Sequence, residues 1–501
     1  MIERRSPRST GFTRLVRLRS TPSAETPRLL AATGGHALPP TLTAMNGGGA
    51  STLRFGTDGV RALAGTVLDE PSVRALGRAA AAHLGSRSVL IGRDTRESGP
   101  GLARALAEGL IDGGLESASL GVVPTPALAY ICRIRRVAGA VVTASHNPWY
   151  DNGIKFFTAG GRKLDDVAQT AIELAWDARP RLDRPIAIPA WADPVDPVAA
   201  CRDWVNGLVE AGVTDGGSSR PLEDLSLVVD CANGAMAPFA ADVLRQLGAE
   251  VEAIHATPDG RNINDKCGST FPDDLREAVL RAGADAGLAF DGDGDRVVAV
   301  GDDGALLDGD DLMAVCAVDL QSRGLLVGAT AVVTVMSNLG LHRALTDHGI
   351  AVYETPVGDR HVLEALDMNG WVLGGEQSGH VVFRDFASTG DGLLTGIRTL
   401  LAAMRSGRTL GGRVAELVVR APQVLQAVPV SSDGDVVVDQ LTDEIAEASA
   451  QLGSAGRVLV RPSGTEPVVR VMVEAFDAAE AAAVADRLIE AVRQVDATMV
   501  S

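Results

Sequence analysis

From Ser51 onward, short runs rich in β-branched and other apolar residues alternate with longer Ala/Leu/Arg stretches whose apolar positions recur at helical spacing, the pattern of parallel α/β units. Three segments share one register: SVLIGRDTRESGPGLARALAEGLIDGG from Ser88, LSLVVDCANGAMAPFAADVLRQLGAEVEAIHA from Leu225, and TAVVTVMSNLGLHRALTDHGIAVYET from Thr330. Each predicts a buried strand, a small polar loop, an amphipathic helix, then Gly and further strand or loop. Towards the C-terminus VVVDQLTDEIAEASAQLG, RVLVRPSGTEPVVRVMVEA and an Ala/Glu-rich helix predict a smaller α+β domain. Breaks in the pattern place four domains at 51–205, 206–305, 306–421 and 422–501.

Length supports this division, since 501 residues at roughly 150 per domain make three to four. With 46% hydrophobic and 22% charged residues, the chain can build several cores, which excludes wholesale disorder. A net charge of −18 argues against a nucleic-acid binder. The longest apolar run, Leu325 to Met336, has 12 residues, too short for a bilayer, so no membrane partner is expected. Five cysteines without a CxxC pair exclude a disulfide scaffold or Cys-rich zinc site and suit a reducing cytoplasm. Residues 1–50 differ, with seven Arg, no Lys and only two acids. Arg-rich, Ser-rich and acid-poor composition marks organellar transit peptides; a disordered extension, or an upstream start with Met45 as the working one, is the plainer expectation.

Only three of the 46 basic residues are lysines: Lys155, Lys163 and Lys266. A chain that otherwise uses Arg keeps Lys where the two are not interchangeable, because a Lys ammonium can be tuned and a guanidinium cannot. Two of the three lie within or just after AVVTASHNPWYDNGIKFF, residues 140–157. There an apolar strand delivers Thr143, Ser145, His146 and Asn147 into a loop that Pro148 stops from becoming helix. A hydroxyl beside an imidazole and a lysine marks Ser145 as a nucleophile or phospho-acceptor.

In AGLAFDGDGDRVVAV, residues 286–300, Asp291, Asp293 and Asp295 alternate with glycines at a strand end. Two such charges ~4 Å apart repel by ~4 kcal/mol at an effective dielectric of about 20. The arrangement persists most naturally around a hard cation, and an all-oxygen set points to Mg²⁺, one per chain. An EF-hand would carry Gly at the sixth position, where this loop has Arg296. In VLVRPSGTEPVVRVMVE, residues 458–474, Ser463, Gly464 and Thr465 offer hydroxyls and backbone N–H groups to an anion, and Arg461 and Arg470 add forks suited to phosphate. GGEQSGH, residues 374–380, sets Glu376, Ser378 and His380 among glycines that let a ligand approach, and a carboxylate and hydroxyl two apart suit sugar hydroxyls. PVGDR, with Gly358 and Asp359, is a weaker candidate for the same ligand.

With these motifs, the chain from about Arg54 to its end resembles the α-D-phosphohexomutases. The matching residues are RFGTDGVR (54–61), TASHNP (143–148), DGDGDR (291–296), GGEQSGH (374–380) and RPSGTEP (461–467). YDNGIKFF, NINDKCGST and STGDGLL favour the bacterial branch acting on glucosamine phosphates over phosphoglucomutase/phosphomannomutase, which remains the alternative. One departure stands out: Ala62 replaces the Gly usual after Arg61, so a turn needing positive φ there would be altered.

The resemblance implies three related α/β domains and a C-terminal α+β domain around a central cleft. It implies a phosphoserine at Ser145, Mg²⁺ held by Asp291, Asp293, Asp295 and the Ser145 phosphoryl oxygen, and a glucosamine 1,6-bisphosphate intermediate, with that or a related bisphosphate as primer. The partner is then a small phosphosugar, the substrate pair being glucosamine 6-phosphate and 1-phosphate, and a homodimer is compatible with the family. Glu376 and Ser378 would hold sugar hydroxyls, and Arg461, Ser463, Gly464 and Thr465 the idle phosphate. Lys155, with its pKa lowered by metal and arginines, is the expected acid/base; His146 competes, and Arg61 and Arg296 steady charge.

Overall fold

Four sheets carry the chain in a computed structural model, which describes residues 53–56, 58–178, 191–463 and 466–500. The N-terminal extension, Met45, Gly464 and Thr465 lie outside the described residues. The first sheet runs in the order Phe55–Gly56, Gly59–Leu63, Asp151–Phe157, Ala138–Val142, Ser88–Arg93, Glu116–Val122. The second is Leu306–Leu307, Val297–Gly301, Ala286–Phe290, Ser226–Asp230, Glu250–Ile254, and the third Ala351–Thr355, Thr330–Thr334, Leu373–Gly375, Val381–Phe383.

The three segments of shared register each form a strand, a helix (Gly99–Asp112, Ala240–Gln246 or Leu339–Asp347) and a second strand that pairs in parallel with the first. A parallel strand needs its helix to return the chain, so the repeated pattern and repeated topology have one cause. The fourth sheet is antiparallel, Gln423–Pro429, Val468–Ala475 and Gly456–Pro462, covered by the helix Ala478–Val500.

Packing divides the molecule unevenly. One apolar core runs through the first three sheets, joining Val141 and Phe157 to Leu227 and Phe290 and to Ala331 and Phe383. Within it Trp204 meets Phe239 edge-on at 5.6 Å and donates to Asp391 at 2.9 Å. The C-terminal domain has its own core, built on Val428, Val471, Val473 and Leu488. It is tethered to the third domain by polar contacts: Asn338 Nδ2 donates to Glu474 Oε1 at 3.1 Å, and Arg457 pairs with Glu354 at 3.3 Å. The first three lobes thus share one core, and the fourth is separately cored.

Ala62 needs no special turn. It lies within Gly59–Leu63, paired opposite Asn152, and the positive φ of this region falls on Gly59, at 87°. A Cβ on Gly59 would sit 2.4 Å from Ile154 O, so glycine is required there and a side chain three residues later is not resisted. The expected disturbance at Ala62 is thus corrected.

Candidate active site

Loops at the C-terminal ends of central strands converge, as α/β sheets place them. After Ala138–Val142 the chain turns sharply and Ser145 adopts φ 53°. Its N–H donates to Thr143 Oγ1 at 2.9 Å, and that hydroxyl donates to Asp94 Oδ2 at 2.7 Å. Ser145 is fully buried, and its Oγ donates to Asp291 Oδ2 at 2.5 Å. His146 Nδ1 lies 3.5 Å from the same Oγ and accepts from Arg296 at 3.1 Å. Burial, and then Arg296 and Arg61, push the His146 imidazole down to about 4, so it is neutral near pH 7.

Asp291, Asp293 and Asp295 are all buried, and each can offer a carboxylate oxygen such that the three lie within 4.8 Å of one another. Glycines make this possible: a Cβ on Gly292 would lie 2.7 Å from Ser145 O, and Gly294 has φ 73°. Asp293 Oδ1 and Asp295 Oδ1 are buried without a hydrogen-bond partner. Burial, together with Asp293 and Asp295, pushes the Asp291 carboxyl well above the usual carboxylate range. Orphaned buried oxygens and mutual repulsion are what a hard divalent cation removes, so the residues present fit Mg²⁺.

Lys155 closes the cluster from beneath, its Nζ 2.9 Å from Asp293, 3.3 Å from Asp295 and 2.9 Å from Asp58. Among the protein groups alone, the carboxylates decide the direction of its shift. Burial does favour the neutral amine, but Asp293, Asp295 and Asp58 outweigh it and hold the Lys155 ammonium well above its ordinary range. Arg61, which was expected to depress it, pairs with Asp58 and only weakly opposes these carboxylates. Arg61 Nε and Arg296 Nε are buried with no hydrogen-bond partner, Arg296 Nε lying 3.9 Å from Asp295 Oδ1, so both have a donor left for an anion.

The GGEQSGH loop packs directly on the strand leaving the Asp cluster. Val297 N–H donates to Gly379 O at 3.1 Å, and a Cβ on Gly379 would come within 2.1 Å of Val297 O. Glu376 is half-buried and Ser378 exposed, and Glu376 Oε1 accepts from Gly358 N–H at 3.0 Å, which joins the two loops. His380 and Asp359 lie within the same cluster, buried as Ser145 and Lys155 are. His380 is buried, accepting from Gly390 N–H at 3.0 Å with Nδ1 3.6 Å from Asp295, while Asp359 accepts from Lys163 at 2.5 Å. These contacts tie both sugar-loop motifs to Lys163 and to the Asp cluster. Arg461 and Arg470 stand opposite each other on paired strands, with Ser463 following. Burial and Arg470 lower the Arg461 guanidinium, a like-charge contact that a phosphate would relieve.

Motif reading passed over several residues of this site. Thr125 Oγ1 donates to Asp293 at 2.6 Å, and Asp58 pairs with both Lys155 and Lys163. Arg96 is fully buried against Asp94 at 2.9 Å, and the rest of its guanidinium goes to carbonyls of the Ser145 loop and its neighbours. The scarcity of lysine had marked Lys163, and Asp58 lies inside RFGTDGVR; nothing local marks Thr125 or Arg96.

Four family models match in chain order: phosphoglucomutase/phosphomannomutase alpha/beta/alpha domain I at residues 52–180, domain II at 203–304, domain III at 308–421 and the C-terminal domain at 412–491. Fold and site together define a phosphohexomutase. The Thermobifida fusca protein named phosphoglucosamine mutase is 48% identical over 453 residues, covering 88% of this chain and 98% of that one. The Nocardia farcinica protein of the same name is 46% identical, covering 85% and 96%. The chain belongs to the phosphoglucosamine mutase family. A crystal structure of a phosphoglucomutase/phosphomannomutase family protein from Burkholderia thailandensis is similar with a TM-score of 0.72 at 27% identity, over 89% of this chain and 97% of that one.

Proposed function

We propose that this chain interconverts glucosamine 6-phosphate and glucosamine 1-phosphate in the cytoplasm, for amino-sugar nucleotide and cell-wall precursor synthesis, with Ser145 as the carrier of the phosphoryl group. One observation carries the mechanism: a buried seryl oxygen lies 2.5 Å from the first of three clustered carboxylates. The two guanidinium groups with unused buried N–H donors in the same site supply the complementary charge. The five cysteines are buried and unpaired, in keeping with a reducing compartment. Among the described residues no helix is long and apolar enough to cross a membrane.

In the proposed reaction a sugar hydroxyl oxygen attacks the phosphorus on Ser145. A new P–O bond forms to the sugar, the bond to Oγ breaks, and the 1,6-bisphosphate results. After reorientation, Ser145 Oγ takes the other phosphoryl group and the sugar oxygen leaves with a proton. Mg²⁺ held by Asp291, Asp293, Asp295 and the phosphoserine oxygen would neutralise charge on the transferring group. Arg61 and Arg296 direct donors at that charge. Lys155, charged in the resting site, protonates the leaving oxygen, and His146, whose neutral ring turns Nδ1 towards Arg296, is the competing acid/base candidate.

Glu376 and Ser378 grip the sugar. Arg461 and Arg470, with Ser463, Gly464 and Thr465, hold the phosphate that is not reacting. The separately cored C-terminal domain, which we bound near residue 422, gives the intermediate room to turn. All these residues come from one chain. A phosphoglucomutase/phosphomannomutase activity is the second reading, differing only in sugar.

The test supplies a hexose 1,6-bisphosphate primer and Mg²⁺ and compares turnover of the 1-phosphates of glucosamine, glucose and mannose. Glucosamine should be preferred, and intact-protein mass should show one phosphate at Ser145. Undiminished interconversion by Ser145→Ala would end the mechanism; preference for glucose or mannose would end the substrate assignment.

A further inference from the structure

Ser145 is a non-glycine residue at φ 53°, a left-handed conformation that persists only where its surroundings impose it. Its carbonyl shows what imposes it. Ser145 O accepts from Arg96 Nη2 at 2.9 Å and from Asn264 Nδ2 at 2.8 Å. Asn147 O, two residues on, accepts from the same two groups at 2.8 and 3.0 Å. Arg96 belongs to the same sheet unit as the nucleophile. Asn264 does not: it comes from the segment that follows strand Glu250–Ile254 of the second sheet.

Asn264 is itself held firmly. It is buried, it adopts φ 57°, and its N–H donates to Ala232 O at 3.0 Å. Its amide also abuts the metal loop, because a Cβ added to Gly292 would come within 2.8 Å of Asn264 Nδ2 and 2.7 Å of Ser145 O. The carboxamide therefore stands where the Ser145 loop, the Asp291 loop and its own segment meet. An Asp of equal size would offer no N–H at either carbonyl and would set a charge against both.

We infer that Asn264 is a positioning residue for the phosphoryl transfer: reaching from the second domain, it completes the clamp that fixes Ser145 at its short distance from Asp291. The first domain alone supplies the seryl oxygen and half of the clamp; docking of the second supplies the metal carboxylates and the other half in one act. The nucleophile is thus fully placed only in the assembled pair, which confines reactive phosphoserine to a site where sugar and cation can both bind. This inference rests on Ser145 being the phosphoryl carrier.

The test is made on the full chain with Asn264→Asp and Asn264→Ala, measuring kcat, KM for the sugar phosphate, and the rate at which glucose 1,6-bisphosphate loads phosphate onto the protein by intact mass. A displacement near 1 Å at a reacting atom costs about 10²-fold. Both variants should keep a cooperative thermal transition, lose roughly ten- to a hundredfold in kcat and in loading rate, and hold KM within about twofold, with Asp the more damaged. Wild-type kcat and loading in either folded variant overturns the inference, as does a loss confined to KM. Failure of the wild-type protein to load phosphate would instead overturn the role of Ser145. If Asn264→Ala does not fold, the isosteric Asn264→Asp decides alone.

Discussion

The Oγ of Ser145 lies 2.5 Å from Oδ2 of Asp291, two residues 146 positions apart in the chain. The contact joins the proposed phosphoryl carrier to its proposed metal site without any intermediary. Whatever disturbs one must therefore register in the other.

Asp291→Asn tests this directly. One charge is lost from three, so apparent Mg²⁺ affinity should fall at least about tenfold, as falls of 10- to 100-fold follow even outer-shell losses. Activity titrated against Mg²⁺ measures it, and chelation of the wild-type protein should abolish turnover until Mg²⁺ is restored. An unchanged Mg²⁺ midpoint in the variant would exclude Asp291 as a ligand.

Lys155→Arg keeps a positive charge but must fit a larger, planar head into a site where the native side chain is 1% exposed and three carboxylates already define the geometry. Turnover should drop by 10²-fold or more, the usual scale for general acid–base groups. Lys155→Met also removes the compensating charge and should lower the melting temperature as well. Near-normal kcat in Lys155→Arg would show that charge alone is needed there.

Gly292→Ala places a methyl group against two atoms that cannot easily retreat, Ser145 O at 2.7 Å and Asn264 Nδ2 at 2.8 Å. The nucleophile loop must shift, so kcat should fall about 10²-fold while the fold persists. Full activity would mean that the loops separate freely.

Arg470→Ala separates binding from stability. Removing one of two facing arginines relieves repulsion in the phosphate-free protein, so the melting temperature should hold or rise. KM should nevertheless increase about tenfold, the scale of one lost charge-assisted hydrogen bond. A lower melting temperature with unchanged KM would assign Arg470 a structural role.

A pH effect on stability should come from Asp310, whose carboxyl is pushed up to about 8 by burial and by Asp308 while accepting from Asn338 N–H at 2.7 Å. The folded state binds this proton more tightly than the unfolded chain, where a carboxyl titrates near ~3.9. Between about pH 4 and 8 the native state holds the extra proton, and its stability contribution falls as pH rises through that window. Asp310→Asn, neutral throughout, should flatten this part of the melting-temperature profile. Identical slopes in the two proteins would rule the effect out.

The strand–loop–helix repeats were legible because burial and helical spacing are local, and so were the motifs, whose chemical groups sit within a few residues after a strand. What escaped is everything made by docking. Thr125 reaches Asp293 across 168 positions and Lys163 reaches Asp359 across 196, and neither partner announces the other. The carboxylates around Lys155 are another case: the arginines were visible in sequence, but which acids would touch the ammonium was not. His380 and Asp359 belonged to recognisable loops, yet neither motif announces the contacts to Asp295 and Lys163.

The uneven exposure of the lysines has a practical side. Lys155 and Lys163 have side chains only 1% and 10% exposed, whereas Lys266 is open to solvent. Among the described residues, amine-directed coupling to a dye, bead or sensor chip will therefore fall on Lys266, two positions from Asn264. Conjugates made this way would be attached beside the machinery they are meant to report on, and handles should be introduced elsewhere.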